Sequence, residues 1–161
     1  MKKLFVLVVI VAVGWFAWQK FSGGGAPLVI KDPIFGEMRA SVTMGNREIE
    51  MAMFVRMENE YVCKSRAREV AQDVLKDCPT CSLQPVKCQA SLPPRYARLF
   101  NDAPIASPYL SLTAGNGTER DGRLVVYGLT DHEGVTLCEQ LRAKIKERYR
   151  GEAHCVPPSG G

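Results

Sequence analysis

Histidine is scarce in this chain, with two residues, His132 and His154, among 161. Neither belongs to a cluster with metal-ligand spacing, and no Gly-x-Ser-x-Gly or phosphate-loop pattern occurs. The nucleophile-elbow hydrolases and the phosphate-loop enzymes are therefore not expected, and neither a cofactor nor a metal is called for. Long charge runs are missing too: no stretch holds five like charges. The formal charge of +4 includes Lys2, Lys3 and Lys20, with no acid before residue 26, so the remainder carries +4 − 3 = +1. That is a solvated surface with interspersed signs, and no nucleic-acid partner is expected. Low complexity is confined to Gly23-Gly24-Gly25 and the tail Pro157-Pro158-Ser159-Gly160-Gly161.

What is present begins at the N-terminus. Lys2 and Lys3 precede fifteen uncharged residues, Leu4 to Trp18. As a helix these cover about 22 Å, short of the roughly 30 Å hydrocarbon core. Lys2, Lys3 and Lys20 lengthen the effective span by reaching to the interfaces, and Trp15, Trp18 and Phe21 suit the interfacial belt. The paired lysines orient the N-terminus inward and the bulk of the chain outward. Lysines before an apolar run are also the mark of a cleaved signal peptide, and Ser22–Ala26 supplies small residues for cleavage. The two Trp and Lys20 in between favour an uncleaved anchor. No Cys stands near the end of the run, which disfavours a lipoprotein. The chain thus divides into a signal-anchor transmembrane helix (1–21), a Gly-rich tether and lead-in (22–36), one α+β domain (37–157) and a short tail (158–161). The anchor passes through a bilayer with residues 4–21, and its lysine-rich start fits a bacterial inner membrane with the domain in the periplasm.

Within the domain, Met38, Ala40, Val42 and Met44 alternate with polar residues, and after Gly45-Asn46 so do Ile49, Met51, Met53, Val55 and Met57. Period-two alternation on both sides of a Gly-Asn turn predicts a β-hairpin. Its methionine-rich face is read as core, with an adaptable binding surface as the alternative. Asn59 caps a helix from Glu60 to about Asp77, with Cys63, Ala67, Val70, Ala71, Val74, Leu75 and Cys78 on one stripe. A short strand carries Val86, Cys88 and Ala90. Leu92–Phe100 reads as a short helix with Tyr96, Leu99 and Phe100 on its buried side. Tyr109–Thr113 and Arg123–Tyr127 are strands flanking a turn-rich loop in which Asn116-Gly117-Thr118 formally fits a glycosylation sequon. Thr130-Asp131-His132-Glu133 is a capping box opening a helix with Leu137, Cys138, Leu141, Ile145 and Tyr149 inward. Asp131, His132 and Glu133 could also form a small acidic-imidazole site. The last strand is Ala153–Val156.

The two long helices have matching surroundings: strand 49–57, helix with Cys63 early, strand with Cys88; then strand 123–127, helix with Cys138 early, strand with Cys155. Two βαβ halves sharing an antiparallel sheet, with both helices on one face, make a ferredoxin-like split βαβ sandwich. An extra N-terminal strand and an insertion, Ser91 to Thr113, are added to it.

Six cysteines in an exported domain read as disulfides. In a βαβ unit the first helical turn lies near the end of the following strand, which pairs Cys63 with Cys88 and Cys138 with Cys155 and leaves Cys78 with Cys81. A cytosolic chain would instead offer Cys63, Cys78, Cys81 and Cys88 as a zinc set. Cys78-Pro79-Thr80-Cys81 also has the spacing of thiol–disulfide oxidoreductases. There the first cysteine opens a helix. Here Cys78 follows a helix end beside Asp77, where the dipole and the carboxylate oppose a thiolate.

Arg123-Leu-Val-Val-Tyr-Gly-Leu129 and the following helix with Leu141-Arg-Ala-Lys144 are similar to half of a peptidoglycan-binding SPOR domain. Such domains are two βαβ halves behind a single anchor, so the resemblance implies a glycan-binding role. It covers about 35 residues, and the six cysteines and the inserted Ser91–Thr113 depart from the pattern. The expectation is a non-catalytic binding or scaffolding module of the bacterial cell envelope. Its partner would be an envelope protein or peptidoglycan. An envelope thiol–disulfide oxidoreductase using Cys78 and Cys81 is the alternative.

Overall fold

The computed structural model describes residues 30–114, 120–147 and 149–160, apart from the side chains of 73–75 and 77. The leader expected at residues 4–21 and the sequon at Asn116 lie outside the described residues. No helix among the described residues is long and apolar enough to cross a membrane.

The domain is α+β, built on an antiparallel sheet. β1 (Ile34–Met44) and β2 (Arg47–Met57) form the expected hairpin, with Met44 opposite Arg47 and Gly45 at φ +63° in the two-residue turn. α1 (Glu60–Asp77) starts where the Asn59 side-chain oxygen accepts from the Val62 amide at 2.9 Å. Two short strands return along the outer edge of β1: β3 (Ser82–Leu83) and β4 (Lys87–Gln89). A short helix, α2 (Pro94–Ala97), runs on into a 3-10 turn, Arg98–Asn101. The second half repeats the first: hairpin strands β5 (Tyr109–Thr113) and β6 (Gly122–Tyr127), helix α3 (Asp131–Lys146) and outer strand β7 (Glu152–Val156). α3 opens with a complete Thr130–Glu133 capping box.

The sheet order is β3-β1-β2-β6-β5-β7, with β4 also on β1. This corrects the split βαβ expectation in one respect. In that arrangement a strand of the other half fills the gap between the two parallel strands of each βαβ unit. Here each unit fills the gap with its own first strand, β1 or β5. The physical cause is local. A two-residue turn ties β1 to β2 as an immediate neighbour, so the strand returning from the helix must pair one position further out. The repeating unit is therefore ββαβ. β1 is not an extra strand, and the Ser91–Thr113 insertion ends before β5. The halves meet at one antiparallel seam, β2 with β6.

Both long helices cover the same face. Met38, Ala40, Ile49, Met51, Met53, Val55 and Met57 pack there with Leu110, Leu112, Leu124 and Val126 against Cys63 and Val70 of α1 and Leu137, Leu141 and Ile145 of α3. The methionine-rich face is thus core. The opposite face holds a second, smaller core: Ala52, Phe54, Tyr109, Val125 and Val156 beneath Leu92, Tyr96 and Leu99. The segment between the halves is a third layer over part of that face.

Candidate functional site: an arginine–aromatic groove on the second sheet face

The residues of β1 and β2 that alternate away from the methionines are unusually rich in arginine and aromatic rings. Arg39 and Arg56 stand on that face with Phe35 and Phe54, and Arg123 and Tyr127 join them from β6. The third layer adds Arg95, Tyr96 and Phe100. The result is an interleaved lattice. The Arg39 guanidinium lies 5.0 Å from the Tyr96 ring centre and 5.9 Å from that of Phe54. Arg56 lies 4.7 Å and Arg123 4.8 Å from Phe100. Such contacts hold a charge against an apolar surface without burying it unpaired.

Two hubs organise this face. Arg39 donates through Nε to Glu37 at 2.7 Å and through Nη1 to Glu50 at 2.5 Å, and Gln89 donates to the other Glu37 oxygen at 3.3 Å. Burial alone would lower the Arg39 pKa. Its hydrogen bonds to Glu37 and Tyr96 outweigh that, and the net shift is upward. The second hub is Arg123, which is buried. Its Nε donates to the Leu99 carbonyl at 2.8 Å, Nη1 to the Leu112 and Gly122 carbonyls, both at 2.8 Å, and Nη2 to Phe100. Burial pushes its pKa down, opposed by Asp102 at 3.2 Å and by Asp121. Asp102, in the left-handed conformation at φ +52°, accepts from the Ser111 hydroxyl at 2.7 Å and lies 3.3 Å from His154 Nε2. Ser, Asp and His meet here, but not as a nucleophilic triad. The carboxylate stands between the other two, and Ser111 is fully buried. The arrangement clamps the third layer to β5 and β7. Tyr109 strengthens the clamp by donating to the Ala103 carbonyl at 3.0 Å, and burial, then Asp102, raises its phenol to about 12.

This clamped layer forms one wall of a groove of about 450 Å³, whose lining includes Arg39, Glu50, Arg95, Tyr96, Ser107 and Tyr127. That size suits a small ligand or a short stretch of a polymer. Glu50 sits opposite both Ser41 and Tyr127 in the sheet. Ser41 is seven residues beyond Ile34, about 23 Å along the strand, so the groove lies far from the point where the chain enters the sheet. Burial, then the neighbouring Tyr96, raises the Tyr127 phenol, keeping it a neutral hydrogen-bonding group.

The cysteines lie on the other side. Cys63 is bonded to Cys88, Cys138 to Cys155 and Cys78 to Cys81, the pairs that the βαβ geometry leads one to expect. The zinc set is therefore divided between two disulfides, and no cluster among the described residues could hold a metal. Each long bridge pins a short outer strand, β4 or β7, to the helix above it. Cys78 is 1% exposed and follows the C-terminal end of α1, while Cys81 is half-buried, so the CxxC pair closes a helix where an oxidoreductase would open one. Asp131 and His132 are exposed and are not gathered with other groups. Glu133 is engaged in its capping box and in a bidentate pair with Arg47 at 3.0 and 3.2 Å.

The groove is what the sequence reading missed. The sequence does carry a signal for it: a face with Phe35, Phe54, Tyr109 and Tyr127 is too aromatic to be a solvated one, and the apolar side of Leu92–Phe100 needs a surface to cover. Compared with known proteins, the chain matches no family model, no curated protein and no solved structure. The likeness of Arg123–Lys144 to half of a SPOR domain thus has no counterpart among these comparisons.

Proposed function

We propose that this protein is a non-catalytic binding module of the bacterial cell envelope. Residues 4–21 hold it at the inner membrane and its domain stands in the periplasm. The observation that carries the reading is the groove. It is a concave site with aromatic walls and a few fixed polar groups, built between a sheet and a layer that side-chain hydrogen bonds hold in place. Three disulfides and a lysine-flanked apolar leader support the compartment. The groove opens well away from the tethered end of the sheet, which suits a receptor that reaches outward for a wall polymer or an envelope protein.

The test uses the full chain in detergent. Retention on purified cell-wall sacculi is measured for the wild type and for Tyr127→Ala, and a photo-reactive residue at position 107 is used in living cells to trap a protein neighbour. Retention or a trapped envelope protein, lost in Tyr127→Ala, supports the reading. Absence of both, or a C-terminal reporter active only in the cytosol, removes it.

A further inference from the structure

The charges lining the groove are unequally satisfied. Arg39, at the base, has Glu37 and Glu50 on its guanidinium edge. Glu50 keeps its second oxygen and 30% of its side-chain surface. Arg95, at the rim, is exposed and has no carboxylate partner among the described residues. Its guanidinium lies 4.4 Å from the centre of the Tyr96 ring. A guanidinium held against a ring at this distance keeps N–H groups along its edge for a bidentate acceptor. The base is thus one cation shared by two carboxylates, one of which keeps a free oxygen, and the rim presents a cation with no carboxylate on it among the described residues. Beside it stand acceptor and hydroxyl groups at Glu50, Ser107 and Tyr127.

We infer that the groove recognises a carboxylate carried on an amide backbone, with Arg95 pairing the carboxylate and Glu50 accepting from a neighbouring N–H. This rests on the binding-module reading and deepens it. A neutral saccharide would leave the rim cation unpaired, and a phosphate would set a second anion charge against Glu37 and Glu50. A peptide end matches both the rim and the base. The same chemistry occurs in the C-terminus of a protein and in the peptide stem of the wall. The two sources differ in the handedness of their residues.

The experiment is calorimetric titration of the full chain in detergent with five probes: N-acetyl-trialanine as free acid, in all-L and all-D forms, the C-terminal amide of each, and a neutral chitooligosaccharide as control. The expected result is binding of a free acid that weakens about tenfold or more in its amide and in Arg95→Gln, with partial recovery in Arg95→Lys. Preference for the L or the D acid identifies the source. Arg95 is exposed, so an unchanged melting temperature shows that the variants are folded. Equal binding of acid and amide, or binding of the chitooligosaccharide indifferent to Arg95→Gln, overturns the inference while leaving the groove a binding site. No binding of any free acid at millimolar concentration also overturns it, and the sacculus and photo-trapping assays then decide the broader reading separately.

Discussion

Two single residues carry much of the local design. Gly128 follows β6 at φ +84°, and a Cβ there would lie 2.2 Å from the Glu48 carbonyl oxygen. The chain leaving the sheet must pass that close to β2 to reach the Thr130 cap. Gly128→Ala meets both a backbone conformation hostile to L side chains and a clash with backbone, and we expect a loss of about 2–4 kcal/mol in denaturant unfolding. A loss below about 0.5 kcal/mol would show that the loop relaxes freely. Arg123 is the second. Its guanidinium satisfies the carbonyls of Leu99, Phe100 and Leu112, two of which belong to the third layer. Arg123→Met keeps most of the volume but strips the guanidinium donors from those oxygens, leaving Leu99 with only the Asp102 amide and the more distant Tyr109 hydroxyl. It should cost about 3 kcal/mol and raise proteolytic cleavage between residues 98 and 108. Neither role was legible in the sequence. Arg123 alternates with Leu124 as an outward strand residue should, and only the layer folded over it makes it an interior one.

The elements were largely readable because their signals are local. Alternation about Gly45-Asn46, the Asn59 cap and the Thr130–Glu133 box depend on neighbours a few residues away, and the hairpin and both long helices follow from them. Strand order depends on competition between neighbours, and the short turn won where a cross-half pairing was expected. The outer strands are the weak elements. β4 has three residues and β7 five, each paired on one side only. Their ladders alone would fray, and the bridges to α1 and α3 make up the difference. Cys138 and Cys155 are 17 residues apart and Cys63 and Cys88 are 25 apart. Replacing either pair by serine should cost about 3 kcal/mol, against about 2 kcal/mol for the three-residue separation of Cys78 and Cys81. Hydrogen exchange should speed up first in β7 or β4 respectively. If removing Cys78–Cys81 proved the most damaging, loop closure would not be what these bridges supply.

At the scale of the molecule, two ββαβ halves join at one strand seam, and charge pairs between the halves flank it. Arg47 of the first hairpin turn meets Glu133 at the start of α3, Glu58 meets Arg120, and Arg56 meets Asp121 at 2.9 Å. Each pair joins a residue before 60 to one after 119, a spacing at which no sequence pattern betrays contact, so this clasp could not be read from the chain. Its titration is predictable. Arg47 and the Thr130 amide and hydroxyl hold Glu133 at about 2, below the ordinary 4.5. Burial alone would raise the Glu58 pKa, but the Arg120 hydrogen bond outweighs it and the net shift is downward. A carboxylate whose folded pKa lies below its unfolded one binds fewer protons in the folded state. Its contribution is complete above the unfolded value and is lost as pH falls toward the folded value. Stability should therefore be flat near neutrality and decline from about pH 5 toward pH 2, the region these two groups span. Glu133 is exposed, so its share should shrink in high salt, whereas the half-buried Glu58 should keep more of its own. Glu58→Gln and Glu133→Gln should each flatten the acid limb, and the double variant should flatten it most. An acid limb unchanged in both variants would place the loss of stability in other carboxylates and leave the clasp without an energetic role.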